Sequence, residues 1–353
     1  MILVINPGST STKIALFSGE KEIFSSTLRH SAEELEQFEN ITEQFSFRKK
    51  MIVSELSKAE YRLDDIKVIM ARGGLIDPVQ SGIYEVNSKM IRDLSNSGRK
   101  QHASNLGALI ANDIAGNIPG CKAYIADPVV VDELQDIARI SGHPFFKRES
   151  VFHALNQKAV AKIYAEECGK PYEELRLIVV HMGGGVSVGA HCNGKIIDVN
   201  QALSGDGPFS PERSGTLPAQ QLVDICFSGK YSYNEVSKMI TGKGGYVSYL
   251  GTTDAGEIEK RAMAGEEKFL LIRNAMGYQI AKEIGAKAAV LEGRVDAVIF
   301  TGGIAYNTAF VEYISKYISF IAPVKIYPGE DEMEALALNA VRILNGSEKA
   351  KVY

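Results

Sequence analysis

The chain has 353 residues, more than a single hydrophobic core usually serves, so two domains are expected. An apolar fraction of 45%, a charged fraction of 23% and a net charge of −4 argue against a general nucleic-acid binder, and any anionic ligand must be met by local cations. No apolar run reaches bilayer length, no basic n-region precedes the short first apolar run, and Cys121, Cys168, Cys192 and Cys226 lack metal or redox spacing; a cytoplasmic protein with free thiols and no membrane partner is expected.

Residues 2–5 read as a buried strand. Asn6-Pro7-Gly8-Ser9-Thr10-Ser11-Thr12 forms a glycine- and hydroxyl-rich turn, and 13–17 return from it. Such a turn with Lys13 beside it suits a phosphate, since backbone N–H groups form a nest and a lysine adds a point charge. It also suits an ordinary tight turn. A third strand covers 21–28. Ser31-x-x-Glu34 is a capping-box pattern, from which one helix is expected to run to about residue 58. Residues 66–71 form a strand that delivers Arg72 at its carboxyl end, where ligand crevices of α/β sheets lie. Helices follow over 89–97 and 104–114, with His102 ahead of the second, and a strand over 122–126 ends at Asp127.

The second half opens with a helix over 151–168, apolar at Val151, Leu155, Ala159 and Ile163, with His153 in its first turn. Residues 175–182 form a strand with His181 next to its last residue, Met182, then come Gly183-Gly184-Gly185 and a second strand. Asn193-Gly194 marks a two-residue hairpin, and 195–199 is the return strand. Without a gap, Asn6 aligns with His181, Gly8 with Gly183 and Gly19 with Gly194, which reads as an internal duplication or as two similar Gly-rich hairpins. A long Gly/Pro-rich loop spans 204–215 and contains Asp206 and Arg213. Helices start at Pro218, Ser232 and Asp254, the last after the 250–253 loop with Thr253. Helix then dominates 262–290. The strand 295–300 is followed by Thr301-Gly302-Gly303-Ile304 and a helix containing Asn307. A strand over 324–327 and a helix over 332–344 complete the chain.

Three strand-then-glycine elements suggest several backbone contacts to one polyphosphate nucleotide. There is no G-x-x-x-x-G-K-S/T, so this is not a Walker P-loop protein, and the protein-kinase motifs are missing. Gly183-Gly184-Gly185 precedes a strand, not the helix that a dinucleotide-binding turn requires.

The strings 6–13, 151–158, 181–187 and 204–215 resemble those of the acetate and butyrate kinase family, within the actin, hexokinase and Hsp70-type ATPase superfamily. The 151–158 and 204–215 strings look more like the butyrate branch than the acetate branch. The resemblance implies an α/β fold of two duplicated ribonuclease-H-like, actin-like ATPase domains with an interdomain cleft. One would comprise 1–149 plus about 331–353, the other 150–330. It implies Mg²⁺-assisted phosphoryl transfer between ATP and butyrate or a related short-chain carboxylate, giving ADP and an acyl phosphate. A homo-oligomer, dimer or higher, is the family's habit.

By the same resemblance, Arg72 binds the substrate carboxylate, Arg213 neutralises the moving phosphoryl group and His153 donates to it. Asp127 and Glu332 organise Mg²⁺ with Asn6, with Glu330 and Glu334 as alternatives to Glu332. Asn6, Ser9, Ser11 and Lys13 attend the phosphates, and His102 and His181 support. Gly183, Gly184 and Gly185 contact phosphate; the 250–254 loop with Thr253, the Gly302-Gly303-Ile304 turn and Asn307 hold the adenosine. Lys13 either touches phosphate or only anchors its strand. An acetate or propionate kinase, a sugar kinase with Asp206 or Asp127 as base, and a non-metabolic ATP clamp are the alternatives.

Overall fold

The computed structural model describes residues 1–96, 102–329 and 332–353. The expected helix end at residue 97 and the alternative carboxylate Glu330 lie outside the described residues. The chain divides into two compact units, Met1–Val131 with Asp331–Tyr353, and Asp132–Glu330.

In the first unit, β1 (Ile2–Pro7), β2 (Ser11–Ser18) and β3 (Lys21–Arg29) form an antiparallel meander. With β4 (Val68–Arg72), β5 (Ile83–Glu85) and β6 (Lys122–Ala126) the sheet order is β3-β2-β1-β4-β6-β5. β1 runs parallel to β4, and β4 to β6. Every residue of β1 is buried, as an unbroken apolar run requires of a strand covered on both faces. Burying each of Ile2, Leu3, Val4 and Ile5 contributes roughly 1.5–3 kcal/mol. The helices are α1 (Ala32–Leu35), α2 (Phe45–Lys58), α3 (Ser88–Ser95), α4 (Asn105–Gly116) and a C-terminal helix, Glu332–Leu344.

The long helix expected over 31–58 is two helices. Ser31 and Glu34 do cap each other, with Glu34 N–H to Ser31 Oγ at 3.2 Å and Ser31 N–H to Glu34 Oε2 at 2.8 Å. Yet α1 lasts four residues. Asn40 then accepts Glu43 N–H and starts a 3₁₀ turn that leads into α2. An asparagine satisfies backbone donors outside a helix, so it restarts the chain where a continuous helix was expected.

The second unit repeats the plan. β7 (Leu177–Met182), β8 (Val186–Cys192) and β9 (Lys195–Val199) are antiparallel, and β10 (Ala297–Gly302) and β11 (Val324–Pro328) extend the sheet in parallel from β7. The order is β11-β10-β7-β8-β9. Its helices are α5 (Ala154–Cys168), α6 (Ala219–Cys226), α7 (Tyr233–Ile240), α8 (Tyr246–Leu250), α9 (Ala255–Met263), α10 (Glu267–Val290) and α11 (Thr308–Ile318). Among the described residues no helix is long and apolar enough to cross a membrane.

The duplication is visible in the two meanders, but the gapless alignment fails after the first turn. Pro7 pairs with Thr12 across β1–β2, whereas Met182 pairs with Val186 across β7–β8, so the second turn is one residue shorter. Ser18 pairs with Lys21 and Cys192 with Lys195, which makes Gly19 the counterpart of Asn193, not of Gly194. Asn193 and Gly194 both have positive φ, 51° and 71°, as the tight hairpin demands.

Two further expectations shift in the second unit. α5 starts at Ala154, so His153 is its N-cap, with a non-helical φ of −85° and ψ of 62°, and not a first-turn residue. The anticipated apolar stripe is not the buried face. Ile163 is 40% exposed, while Asn156, Gln157 and Lys158 are buried with Val160, Ala161 and Tyr164. Hydrophobic periodicity cannot register a ridge of buried polar groups whose partners lie on other elements, His181 for Asn156, Ser187 and His191 for Gln157, and Glu133 for Lys158.

The segment 132–149, expected in the first domain, falls in the second unit. Its bonds explain this. Gln135 N–H reaches Ile197 O at 3.0 Å, and Arg148 Nη2 reaches Asp198 Oδ1 at 3.1 Å. Glu133 Oε2 accepts Ile196 N–H at 2.9 Å and pairs with Lys158 Nζ at 2.8 Å; both side chains are nearly buried. Removing one partner of a buried ion pair strands the other. Lys158→Met is therefore expected to cost about 3–5 kcal/mol in urea unfolding. A cost below about 1 kcal/mol would mean that backbone bonds alone hold the segment.

Candidate active site

The parallel strands of the first unit end together. Ile5 pairs with Ala71, and Arg72 with Ala126, so Asn6, Arg72 and Asp127 stand side by side at the carboxyl ends of β1, β4 and β6. Asn6 Nδ2 donates to Glu332 Oε2 at 2.6 Å, and Arg72 Nη1 donates to the same oxygen at 3.1 Å. Glu332 is 3% exposed and sits in the first turn of the C-terminal helix, where the helix dipole favours a carboxylate. Among the described residues, Arg72 Nε and Nη2 have no protein partner, so one side of its fork is open.

Asp127 does not join this cluster. Its Oδ1 accepts from Ser81 Oγ at 2.6 Å and from Gly82 N–H at 2.8 Å, which holds it in a left-handed φ of 38°. The expected metal set of Asp127, Glu332 and Asn6 is thus joined only in part. Among the described residues no three His, Cys, Asp or Glu side chains gather as a metal cluster. Glu332 commits only Oε2, and Asp127 only Oδ1, to hydrogen bonds, so each retains a second oxygen.

The glycine turn between β1 and β2 is held by a residue the sequence reading passed over, Arg48 of α2. Arg48 is fully buried. Its Nη1 donates to Gly8 O at 2.8 Å, Ser11 O at 3.1 Å and Thr12 Oγ1 at 3.1 Å, and its Nη2 to Ser9 O at 3.0 Å. Gln44 Oε1 accepts from Nε at 3.0 Å and from Nη2 at 2.8 Å. Among the described residues no carboxylate pairs with it. Burial pulls its pKa below the usual arginine value, to about 10, so it stays cationic near neutrality. The turn's carbonyls are drawn inward onto this charge. Ser9 lies exposed at the rim with Ser11 partly covered beside it. Lys13 is exposed and directly opposite Asn6 in the ladder, and among the described residues its side chain makes no hydrogen bond or ion pair. His102 is tied to Ser104 Oγ at 2.7 Å.

In the second unit, His181 and Thr301 pair at the ends of β7 and β10. His181 is fully buried, bonded through Nδ1 to Asn156 Oδ1 at 2.7 Å, and stacked on His153 with centroids 3.8 Å apart and planes 11° apart. Arg213 Nη1 donates to Ala202 O at 2.7 Å. Gly185 brings the two expected catalytic groups together: a Cβ there would overlap Arg213 Nη1 and lie 3.3 Å from His153 Cε1. A larger residue there would have to displace the Arg213 guanidinium.

A pocket of about 820 Å³ opens in the same unit. Gly183, Gly184, Thr253, Gly303 and Asn307 line it, as anticipated, whereas Gly185, Gly302 and His181 are not among its lining residues. Asn307 also caps α11, accepting Phe310 N–H at 3.0 Å. Lys260, Tyr306, Glu212 and the amino end of α9 line the pocket and were missed. Asp254-x-x-Glu257 had signalled that helix start, and Asp254 Oδ1 accepts the N–H groups of Gly256 and Glu257 at 2.8 and 3.0 Å.

The Arg48 clamp carries a pH signature. Thr12 Oγ1 accepts from Arg48 and lies 2.9 Å from His30 Nε2, which links the imidazole to the clamp. His30 is 4% exposed, and burial, then the Arg48 charge, lowers its pKa from 6.5 to about 4. The folded state therefore holds His30 neutral where the unfolded chain protonates it. This contribution, roughly 3 kcal/mol, is fully present above pH ~6.5 and is lost as pH falls towards ~4. Unfolding free energies of wild type and His30→Gln, measured between those limits, should show a shallower pH slope for the variant.

The chain is similar to known proteins along its whole length. Residues 143–323 match the model of the acetokinase family. Butyrate kinase 2 of Clostridium acetobutylicum is 58% identical over 352 residues, covering 100% of this chain and 99% of that protein. Butyrate kinase 1 of the same organism is 55% identical with the same coverage. The crystal structure of Porphyromonas gingivalis acetate kinase superposes with a TM-score of 0.80 at 21% identity, over 97% of this chain and 99% of that one. A propionate kinase from Francisella tularensis gives 0.77 at 17% identity over 96% and 98%. The fold is that of these acetate and propionate kinase structures, and the chain belongs to the acetokinase family.

Proposed function

We propose that this chain is a butyrate kinase, transferring a phosphoryl group reversibly between ATP and butyrate or a related short-chain carboxylate. The observation that carries this is end-to-end identity of 58% with a butyrate kinase. ATP and ADP are the nucleotide pair. Mg²⁺ suits the acids present, because it is usually held by one or two carboxylates with water and phosphate completing its shell. Glu332 and Asp127 would hold it, directly or through water, and it would offset phosphate charge.

In the forward direction a carboxylate oxygen attacks the γ-phosphorus as the bond to the β-phosphate oxygen breaks. The acid is already ionised near neutrality, so no general base is needed. The difficulty is bringing two anions together, and cations and oriented donors answer it. The open side of the Arg72 fork binds the acid. Arg213 and the imidazole N–H of His153 meet the equatorial oxygens of the moving phosphoryl group. Ser9, Ser11, Lys13 and Gly183–Gly185 attend the phosphates. The 820 Å³ pocket takes the adenosine, with Thr253, Gly303 and Asn307 in its wall.

Acyl hydroxamate formation with ATP and acids of two to five carbons tests the assignment. The highest kcat/KM is expected on butyrate. Preference for acetate would overturn the acyl assignment, and no turnover on any acid would overturn the kinase. With folding verified, Arg213→Ala should lower kcat by about 10³-fold or more. Arg72→Ala should act chiefly through KM for the acid and kcat/KM. His153→Ala should lower kcat by about 10²–10³-fold, as loss of one preorganised donor does.

A further inference from the structure

Behind His153 lies a row of buried polar side chains with no direct place in the transfer. Ser187 Oγ is 2.9 Å from His153 Nδ1. Gln157 Nε2 is 2.8 Å from Ser187 Oγ and 3.2 Å from Ser187 O. Gln157 Oε1 is 3.0 Å from His191 Nε2, and His191 Nδ1 is 2.8 Å from Tyr172 OH. Ser187, Gln157 and His191 have no exposed surface and Tyr172 is 6% exposed. The sequence reading held Gln157 and Ser187 within the 151–158 and 181–187 strings but gave neither a role and did not connect them to His191 or Tyr172; the members come from β8, α5 and the turn after α5.

The direction of every bond can be worked out. A carbonyl only accepts, so Ser187 O fixes the Gln157 amide with its NH₂ towards Ser187 and its Oε1 towards His191. His191 Nε2 must then carry a proton. Burial, reinforced by the nearby Lys158 charge, holds the His191 pKa well below the usual imidazole range, so the ring is neutral and its Nδ1 accepts from Tyr172. At the other end, Ser187 Oγ receives a proton from Gln157. Its own hydroxyl proton has one acceptor among its hydrogen-bond partners, His153 Nδ1. The donors therefore run one way, Tyr172 to His191 to Gln157 to Ser187 to His153, and aligned bonds of this kind polarise one another.

We propose that Ser187 and Gln157 are positioning residues that fix the tautomer of His153, making Nδ1 an acceptor and leaving Nε2–H as the donor aimed at the phosphoryl oxygen. This deepens the reading of His153 as a transition-state donor and rests on it. The opposite tautomer would present a lone pair to an anionic oxygen. A doubly protonated ring would reverse the bond to Ser187 and leave the serine proton facing donors only.

The test is ¹⁵N NMR of the full-length protein labelled at histidine, with the His153 signals assigned from His153→Gln. Wild type should show a pyridine-like Nδ1 and a pyrrole-like Nε2. Ser187→Ala, and separately Gln157→Leu, should move both shifts towards a tautomer average. In each variant kcat should fall by roughly tenfold, less than the His153→Ala loss because part of the ring population keeps the donating tautomer, with KM for ATP and acid within about twofold. A serine that merely packs would change stability without moving the ring shifts. A pyrrole-like Nδ1 in wild type, or unchanged shifts in both folded variants, overturns the proposal. Should one variant fail to fold, the other and the wild-type spectrum still decide. Correct shifts combined with full activity of His153→Ala would instead remove His153 from the reaction and leave the tautomer assignment standing.

Discussion

Parallel pairing is the constraint on which the rest depends. β1 lies parallel to β4, and β7 to β10, so in each unit the carboxyl ends of neighbouring strands finish level. A strand end is where the ladder stops satisfying backbone groups and side chains become free to face a ligand. Asn6 and Arg72 meet on Glu332 for this reason, and His181 and Thr301 are neighbours for the same reason. The buried apolar strands fix where those ends fall. A one-residue slip would turn each of these groups to the opposite face of the sheet.

Much of this was legible in the chain itself. Strong apolar runs gave the strands, and local cap chemistry gave the starts of α7 and α9, where Ser232 and Asp254 bond as anticipated. The glycine turns could be read because few residues other than glycine tolerate such approaches, as Gly185 illustrates beside Arg213. Failures had two sources. α1 stopped at Leu35, and the local cap of Asn40 started a separate turn where the pattern continued a helix. α5 buried Asn156, Gln157 and Lys158 beside Val160, Ala161 and Tyr164, because distant partners satisfy them.

Arg48 and the Ser187 row escaped for a related reason. An arginine in an amphipathic helix ordinarily reads as solvent-facing. Only the fold shows that its partners are carbonyls some forty residues earlier in the chain. The Gln157 to His191 bond likewise spans 34 positions, and neither residue type announces the other. Buried polar networks are specified by three-dimensional satisfaction of donors and acceptors, which no periodicity encodes.

The shorter second turn alters which residues of the two halves are true counterparts. Lys13 faces Asn6 across its hairpin, and Ser187 faces His181 across the other. The exposed cation of one half and the buried relay hydroxyl of the other therefore stand at the same address in a repeated scaffold. At that address one hairpin presents a charge to solvent and the other a hydroxyl to the interior, so the repeated scaffold sets the position while the packing around it sets what the residue can do.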